Sequence, residues 1–337
     1  MPSWGVILRD INELRKRDPA ALDLVRRRYL ASQHAHSKRA VILYATKWTQ
    51  ATEGVPPELV SIADEDIQGL MECLHGVKET ALDLVLHSPG GSLAAADACI
   101  QYLRSKFDHI RVFVPHAAMS AATMMACAAD EIIMGKHSFL GPIDPQLIMQ
   151  TTLGPRSIPA QAILDQFEKA KKECVDPAML PVWLPMLQQY GPDLLVQCEN
   201  VLALSQEIVR NWLATYMFRG ELAAEERAGK IAAWLSNHAN FKIHGRYINR
   251  EKLREQGLKI LDLEGDKTQQ DFVLSLYHAT THTFAQTGAM KIIENHLGSA
   301  YINQVQQIVV QKNPPQSPTL PSSGRHEEPP FPKKKDR

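Results

Sequence analysis

The chain has 337 residues, of which 45% are hydrophobic and 22% charged, and its 37 basic side chains balance 37 acidic ones. This composition is typical of a globular protein that can bury a sizeable core, and it excludes a wholly disordered or fibrous chain. The zero net charge gives no general signal for binding a polyanion, so nucleic acid is not an expected partner. Five scattered cysteines without a C-x-x-C pair exclude a disulfide framework and a zinc-binding cysteine cluster, and they indicate reduced, buried thiols.

The first segment, residues 1–36, is predicted to be helical and basic. Apolar residues recur at helical spacing between Trp4 and Leu30, around two clusters of basic residues. No aromatic stacking pattern accompanies the charge, which favours a packed or solvated helix face over a nucleic-acid contact. Charged residues stand where a signal peptide needs an apolar stretch, and no apolar run approaches the roughly 20 residues that span a bilayer. We therefore expect a cytoplasmic protein without membrane contact.

The next segment, residues 37–265, is predicted to form an α/β core in which strand-like apolar runs alternate with helical patterns. The strands are residues 40–45, 82–86, 110–114 and 132–134, and the helices are residues 64–75, 93–107 and 120–129. This alternation indicates largely parallel pairing, and active sites in such sheets lie beyond the carboxyl ends of the strands. Further along, residues 158–218 are predicted to be mostly helical and residues 235–241 to form a loop.

The second strand of this core ends in the sequence HSPGG. Pro89 has no amide proton and fixes φ, whereas Gly90 and Gly91 let the backbone turn sharply and approach a ligand with no Cβ in the way. Amide groups exposed at such a strand-to-helix turn can bind a developing oxyanion. Two other interpretations are open for this turn: a tight connection only, or a cradle for a phosphate group.

Ser120 stands just past the third strand, at the start of a buried helix. A serine in this place is often only an N-cap. Small residues surround it here, however, and the helix N-terminus that begins with Ala121 favours negative charge. A hydroxyl and amide donors from two consecutive βα turns are what acyl transfer requires. The pattern predicts a serine hydrolase with Ser120 as nucleophile and an oxyanion hole built from Gly90, Gly91 and Ala121.

Three motifs follow one another in this core: HSPGG, AMSAATMMACAADEIIMGKHS and LGPIDPQ. Together they resemble the serine dehydrogenase proteinase family, which belongs to the Clp-protease class and is related to signal peptide peptidase A and the Clp proteolytic subunit. The resemblance extends from Ser3 and Trp4 through HGRYINREKLREQGLKILDLE to KIIENHLG, which is most of the chain. It implies an α/β fold of the crotonase/Clp-protease-like ββα spiral type with added N- and C-terminal helices, hydrolysis of peptide bonds, and ring-like homo-oligomers.

The general base is not assigned by the sequence. The Clp proteolytic subunit takes a histidine from the place that here holds Ile143 and Asp144, so Asp144 is expected to orient the base or to contact the substrate. Signal peptide peptidase A uses a lysine, for which Lys172 is the candidate because its distance from Ser120 along the sequence is similar. Its KAKKE context is also typical of a solvated surface. The remaining candidates are Lys136, His137, His87 and His244.

The last two segments complete the chain. Residues 266–311 are predicted to form C-terminal helices, with helical patterns at 269–283 and 290–297. Residues 312–337 are rich in proline, serine and charge without any periodicity, which predicts a disordered, basic tail. The tail is expected either to contact a partner protein or only to aid solubility.

The sequence thus predicts a serine peptidase that acts on a peptide or protein substrate without a metal or cofactor. Two alternatives are open. A crotonase-type acyl-coenzyme A enzyme would use the same oxyanion hole without a covalent serine. A catalytically inactive scaffold of the same fold would bind peptides or partner proteins. The sequence contains no P-loop, so the chain is not expected to supply an ATP-driven unfolding activity itself.

Overall fold

The structure is a computed structural model that describes residues 3–50, 54–151 and 154–305. Within these residues the chain forms twelve strands: β1 (Ala40–Thr46), β2 (Ala81–His87), β3 (His109–Val114), β4 (Ala117–Ala118), β5 (Glu131–Met134), β6 (Phe139–Leu140), β7 (Gln146–Thr151), β8 (Gly154–Pro159), β9 (Ile248–Asn249), β10 (Ile260–Asp262), β11 (Ala289–Asn295) and β12 (Ala300–Gln304). The predicted tail, residues 312–337, lies outside the described residues.

The same described residues form twelve α-helices: α1 (Trp4–Arg15), α2 (Ala21–Ser37), α3 (Asp66–Leu74), α4 (Leu93–Lys106), α5 (Ala121–Cys127), α6 (Ala160–Glu173), α7 (Leu180–Leu187), α8 (Leu194–Trp212), α9 (Ala224–Ser236), α10 (His238–Phe241), α11 (Arg250–Glu255) and α12 (Lys267–Gln286). A π-helical turn, Leu213–Met217, continues α8. Short 3₁₀ segments occur at Pro57–Val60, Pro177–Met179 and Leu263–Gly265.

Seven strands form the main sheet, in the order β10-β5-β3-β2-β1-β11-β12. The five strands from β10 to β1 run parallel, and β11 and β12 are each antiparallel to the preceding neighbour. The predicted α/β class with largely parallel pairing is therefore confirmed. Three small strands, β4, β6 and β9, form a second sheet, and β7 pairs with β8 as a separate two-stranded ribbon.

Helices cover both faces of the main sheet. Every residue of β1 is buried, because Ile42 and Tyr44 face the core under α3, α4 and α5 while Val41 and Leu43 face the core under α2 and α12. Because parallel strands are buried on both faces, they appear in the sequence as continuous apolar runs. Among the described residues, no helix combines the length and the apolarity needed to cross a membrane.

Two arginines of the N-terminal segment form hydrogen bonds with a buried glutamate. Arg26 is fully buried and donates to Glu294, and its guanidinium also donates to Thr283 Oγ1 at 3.0 Å. Arg27 Nε donates to the same Glu294 carboxylate at 2.7 Å. The basic run on α2 therefore ties this helix to β11, which supports a structural role for it.

Two local predictions are wrong. Residues 290–297 were expected to be helical, but Ala289–Asn295 is the strand β11, which is buried along its whole length between β1 and β12. A strand buried on both faces loses its apolar–polar alternation and then resembles a short buried helix in sequence. Residues 266–311 thus contain one helix and two strands in their described part. The loop expected at 235–241 instead contains the end of α9 and the single turn α10.

Candidate active site

Ser120 lies at the junction between β4 and α5, in a strained backbone conformation. Its φ is 52° and its ψ is −122°, and it is one of three non-glycine residues with positive φ in the described chain. A residue in such a sparsely populated region costs about 1–3 kcal/mol and is held there by its surroundings. Its side chain makes no capping hydrogen bond to α5. The hydroxyl is therefore free of the N-cap role that the sequence left open.

The glycine turn packs directly against Ser120. Gly90 has a φ of +97°, and a Cβ built on it would lie 2.8 Å from Ser120 Cβ and 2.8 Å from the Ala121 amide nitrogen. Backbone hydrogen bonds hold the two βα turns together, since the Met119 amide donates to the Ser88 carbonyl at 2.9 Å. The structure thus brings together the hydroxyl and the two turns that the sequence singled out, and only a glycine fits at the contact.

The amide groups of this junction differ in their hydrogen bonding. Within the described residues, the amides of Gly91 and Ala121 have no acceptor. The Gly90 amide, by contrast, donates to Ser88 Oγ at 3.2 Å, and that hydroxyl is fully buried. A distance of 3.2 Å is at the long end for an N–H···O bond, so a negatively charged oxygen would compete well for this donor.

A cavity of about 600 Å³ opens on Ser120. Its walls come from residues 57–64, the glycine turn, the start of α5, the β7–β8 ribbon, Ile143 and His244. The segment 57–64 is pinned to the turn by backbone pairing, because the Ile62 amide donates to the Gly90 carbonyl at 2.8 Å. The cavity therefore lies where the carboxyl ends of β2 and β3 meet, the position expected for a site in this class of sheet.

Asp144 lies beside the cavity and is buried, with 1% of its surface exposed. Its Oδ1 accepts a hydrogen bond from His244 Nδ1 at 2.7 Å, and its Oδ2 accepts one from His238 Nδ1 at 2.9 Å. The side-chain Nε2 of Gln146 donates to the same Oδ2 at 3.2 Å. The carboxylate thus holds two imidazoles, and the His244 ring lines the same cavity as Ser120.

The lysine candidates lie elsewhere. Lys172 is an exposed residue near the end of α6 and does not line the cavity. Lys171 Nζ bonds Glu168 at 2.7 Å on the surface of the same helix, and Lys136 is exposed after β5. Because a lysine base must be desolvated to be neutral at pH 7, these placements give no support to a serine–lysine pair.

His87 points away from Ser120. It is fully buried on the α12 side of the sheet, where its ring lies 5.1 Å from that of Tyr277 and 5.5 Å from that of His116. Burial, with a smaller contribution from His116, lowers the pKa of His87 to about 3. His137 lines a separate cavity with His116 and Tyr277 on this same side of the sheet. Neither histidine is placed to act on Ser120.

Among the described residues, one group could be considered for a metal, and it lies beside the starts of β1 and β2, whereas Ser120 lies beyond the end of β3. His34, Glu79 and His296 bring three ligand atoms within 4.8 Å of one another. However, His296 Nδ1 accepts the Val41 amide at 3.2 Å, so the neutral ring carries its proton on Nε2, the atom that faces Glu79. The rings of His34 and His296 are also stacked, with centroids 4.0 Å apart. This arrangement does not fit a metal ligand set.

From the sequence, His244 was one of several candidates for the general base, and His238 was not a candidate. Both are remote from Asp144 in sequence, by 100 and 94 residues. Asn237, whose side chain accepts the Ala239 amide at 3.0 Å, was the local signal that a helix begins here. That signal would have replaced the predicted loop by a short helix, but it would not have paired either histidine with Asp144.

A known protein family matches the part of the chain that contains Ser120 and Asp144. Residues 26–184 match the family model of the ClpP-like SDH-type serine proteinases. The resemblance to this family is confirmed. The part that matches this ClpP-like family includes Ser120, Asp144 and Lys172 and ends before His238 and His244. At the level of the family, the matched part of the core is similar to the ClpP-like serine proteinases, in agreement with the α/β fold of the main sheet.

Individual relatives share shorter segments. Two uncharacterized proteins of Methanocaldococcus jannaschii are similar to this chain, one with 41% identity over 87 residues and the other with 31% identity over 122 residues. These segments cover 26% and 36% of this chain and 30% and 39% of the relatives, so the chain spans about a third of the length of the curated relatives it matches. A solved structure, a mutant of the 1510-N membrane-bound stomatin-specific protease, has 13% identity and a TM-score of 0.35 and covers 59% of this chain and 74% of its own.

Proposed function

We propose that the protein is a serine peptidase whose catalytic triad is Ser120, His244 and Asp144. The observation that carries this proposal is that Ser120 and His244 line one cavity while His244 Nδ1 donates to the buried Asp144 at 2.7 Å. A nucleophile, a base beside it and a third group that orients the base are the three parts of such a site. The chain order Ser, Asp, His is compatible with this chemistry, since triads are recognised by geometry and role.

The role of Asp144 is to fix the tautomer of His244. With the proton held on Nδ1 by the Asp144 carboxylate, the lone pair of His244 is on Nε2. That nitrogen takes the proton of Ser120 Oγ as the oxygen attacks the substrate carbonyl. The nearby carboxylate then stabilises the imidazolium that forms.

The oxyanion of the tetrahedral intermediate is bound by the amides of Ala121 and of the glycine turn. The Ala121 amide has no acceptor among the described residues, and the Gly90 amide exchanges its long bond to Ser88 Oγ for the shorter, charge-assisted bond to the oxyanion. This exchange favours the intermediate over the ground state, which is the condition for lowering the barrier. Protonated His244 then gives its proton to the leaving amine, which leaves an acyl group on Ser120.

Hydrolysis of the acyl group reuses the same residues. Water enters beside His244, Nε2 takes one of its protons, and the hydroxide attacks the ester carbonyl in the same oxyanion hole. The ester bond to Ser120 breaks, Oγ recovers a proton from His244, and the carboxylic acid product leaves. No step needs a group outside the chain except water.

The cavity walls indicate which peptides to test. The side chains of Leu93, Met124, Ile143 and Ile148 give it apolar walls beside Ser120. Apolar walls bind apolar side chains because burial removes both surfaces from water. We therefore propose substrates with apolar residues next to the cleaved bond, and fluorogenic peptides with leucine or methionine in that place are the first to use.

The test is the rate of peptide hydrolysis by a panel of variants. We expect Ser120→Ala, His244→Ala and Asp144→Asn each to lower kcat by about 10⁴-fold, the scale on which serine-peptidase triads respond. Lys172→Ala is the matched control, because it removes the competing base candidate from an exposed position. It should leave kcat unchanged.

Three outcomes would contradict the proposal. Loss of hydrolysis in Lys172→Ala with full activity in His244→Ala would assign a lysine as the base. Hydrolysis that persists in Ser120→Ala would exclude the serine mechanism. If the parent protein cleaves no peptide but acts on an acyl-coenzyme A, or only binds peptides, one of the two alternative functions holds instead.

A further inference from the structure

Both oxygens of the Asp144 carboxylate are occupied, although the proposed triad uses only one. His244 takes Oδ1, whereas Oδ2 is shared by His238 at 2.9 Å and Gln146 at 3.2 Å. The carboxylate is 1% exposed, so water does not replace a lost partner without cost. The Oδ2 side therefore determines how the Oδ1 side is presented to His244.

His238 is unsuited to be a second base in the same site. It is not among the residues that line the Ser120 cavity, whereas His244 is. Its Nδ1 is directed at the carboxylate, which places its proton on Nδ1 and leaves its other nitrogen away from that contact. Its position is on the opposite oxygen of Asp144 from the catalytic imidazole.

The backbone around His238 is built to hold this contact. His238 is the first residue of the single turn α10, whose N-cap is Asn237. The helix ends at Phe241, its C-cap Lys242 has a φ of 70°, and His244 follows two residues after the C-cap. The short turn and the residues directly after it thus bring both imidazoles to one carboxylate.

The loop that carries Asp144 is fastened to the same region. The Ile143 amide donates to the Leu235 carbonyl at 3.0 Å, next to α10 in the chain, and the Ala160 amide donates to the Pro145 carbonyl at 2.9 Å on the other side. The backbone on either side of Asp144 is fixed. The remaining freedom is rotation of the carboxylate, which is what a donor on Oδ2 restricts.

We propose that His238 is a positioning residue, whose Nδ1–H holds Oδ2 of Asp144 so that Oδ1 stays aligned with His244 Nδ1. This inference rests on the proposed function, because it assigns His238 a part in the same triad. Without the donor, the carboxylate can rotate, and the alignment of His244 towards Ser120 is lost. A misaligned His244 reduces the rate of the chemical step more than it weakens substrate binding.

The test uses substitutions of His238 that separate the effect of its Nδ1–H donor from the effect of its side-chain volume. His238→Asn keeps an N–H donor near the Nδ1 position, whereas His238→Gln keeps polarity and size but moves the donor to the Nε2 position. We expect His238→Gln and His238→Leu to lower kcat by about 10²-fold with KM unchanged, and His238→Asn to recover most of that loss. His36→Leu is the matched control, since it removes a histidine–carboxylate pair of 2.7 Å between His36 on α2 and Asp266, the N-cap of α12. It should leave kcat unchanged.

A second readout does not depend on activity. Assigned ¹⁵N resonances of the His244 ring report which nitrogen carries the proton. We expect the Nδ1–H form in the parent and in Ser120→Ala, and a mixture of the two tautomers in His238→Gln. A parent protein that hydrolyses nothing, with this tautomer pattern intact, would contradict the proposed function but support the positioning role.

The inference is overturned by either of two results. One is a His238→Gln variant with the kcat and the His244 tautomer of the parent. The other is a His238→Asn variant that fails as completely as His238→Leu, with equal losses of stability in both. That result would mean that the ring supports the fold of α10 and not the orientation of Asp144.

Discussion

The contact between the glycine turn and Ser120 can be tested by adding one methyl group, in the variant Gly90→Ala. The new Cβ would lie 2.6 Å from the Met119 carbonyl oxygen and 2.8 Å from the Ala121 amide nitrogen, both parts of the backbone. Because backbone atoms cannot rotate aside as a flexible side chain can, the two βα turns must separate. The backbone of Gly90 itself, with a φ of +97°, is also unfavourable for alanine.

The expected magnitude has two parts. A left-handed alanine costs about 1–2 kcal/mol, and overpacking a well-packed site costs about 1–3 kcal/mol. We therefore expect Gly90→Ala to lower the free energy of unfolding by about 2–5 kcal/mol. The displaced amides should also lower kcat by about 10²–10³-fold, the usual effect of losing one oxyanion donor.

Two further glycines serve as controls. Gly220 has a φ of +79° and nothing within 4 Å of an added Cβ, so Gly220→Ala measures the backbone contribution alone. Gly245, beside His244, has neither restriction, so Gly245→Ala should leave the unfolding free energy nearly unchanged. Urea unfolding and peptide hydrolysis are measured for all three. The reasoning is refuted if Gly90→Ala is as stable as Gly220→Ala and hydrolyses peptides at the parent rate.

Three other expectations follow from buried groups. The pKa of His87, about 3 in the folded protein, lies below its unfolded value of about 6.5, so its contribution to stability is present above pH 6.5 and is lost as the pH falls. Between about pH 7 and pH 5 this costs the parent about 2 kcal/mol of unfolding free energy, and His87→Gln should lack that loss in urea titrations at the two pH values. Of the five cysteines, only Cys174 is not buried, so a thiol reagent should modify one equivalent in the native protein and five after unfolding; two or more fast equivalents would contradict the packing. Lys291 is buried and paired with buried Asp66, so Lys291→Met should destabilise the protein by about 3–5 kcal/mol, whereas an unchanged unfolding midpoint would show that the pair contributes nothing.

The sequence predicted those parts of the site that depend on local order. Ser120 and Gly90 each follow a strand, and neighbouring parallel strands end at one edge of the sheet, so their side chains and amides had to meet there. The strained backbone of Ser120 could not be predicted, because it results from the pairing of the two turns. Neither could the hydrogen bond between the Gly90 amide and Ser88.

The identity of the general base could not be predicted from the sequence, for a different reason. Asp144 and His244 are 100 residues apart, and they meet where the end of α9 joins the Asp144 loop through the hydrogen bond from the Ile143 amide to the Leu235 carbonyl. Lys172 was a candidate because of its distance from Ser120 along the sequence. That distance does not determine which face of its helix the side chain occupies. Similarly, β11 was predicted as a helix because its burial on both faces hides the period of a strand. Ring-like self-association and the role of the C-terminal tail stay predictions.

Covalent labelling of Ser120 is the most direct test of the central claim. The parent protein, His244→Gln and Lys172→Ala are each treated with a fluorophosphonate, and the modified residue and its rate of modification are followed by peptide mass spectrometry. We predict a single adduct on Ser120 that forms at the parent rate in Lys172→Ala and far more slowly in His244→Gln. An adduct that forms equally fast without His244, or one on another serine, would contradict the triad.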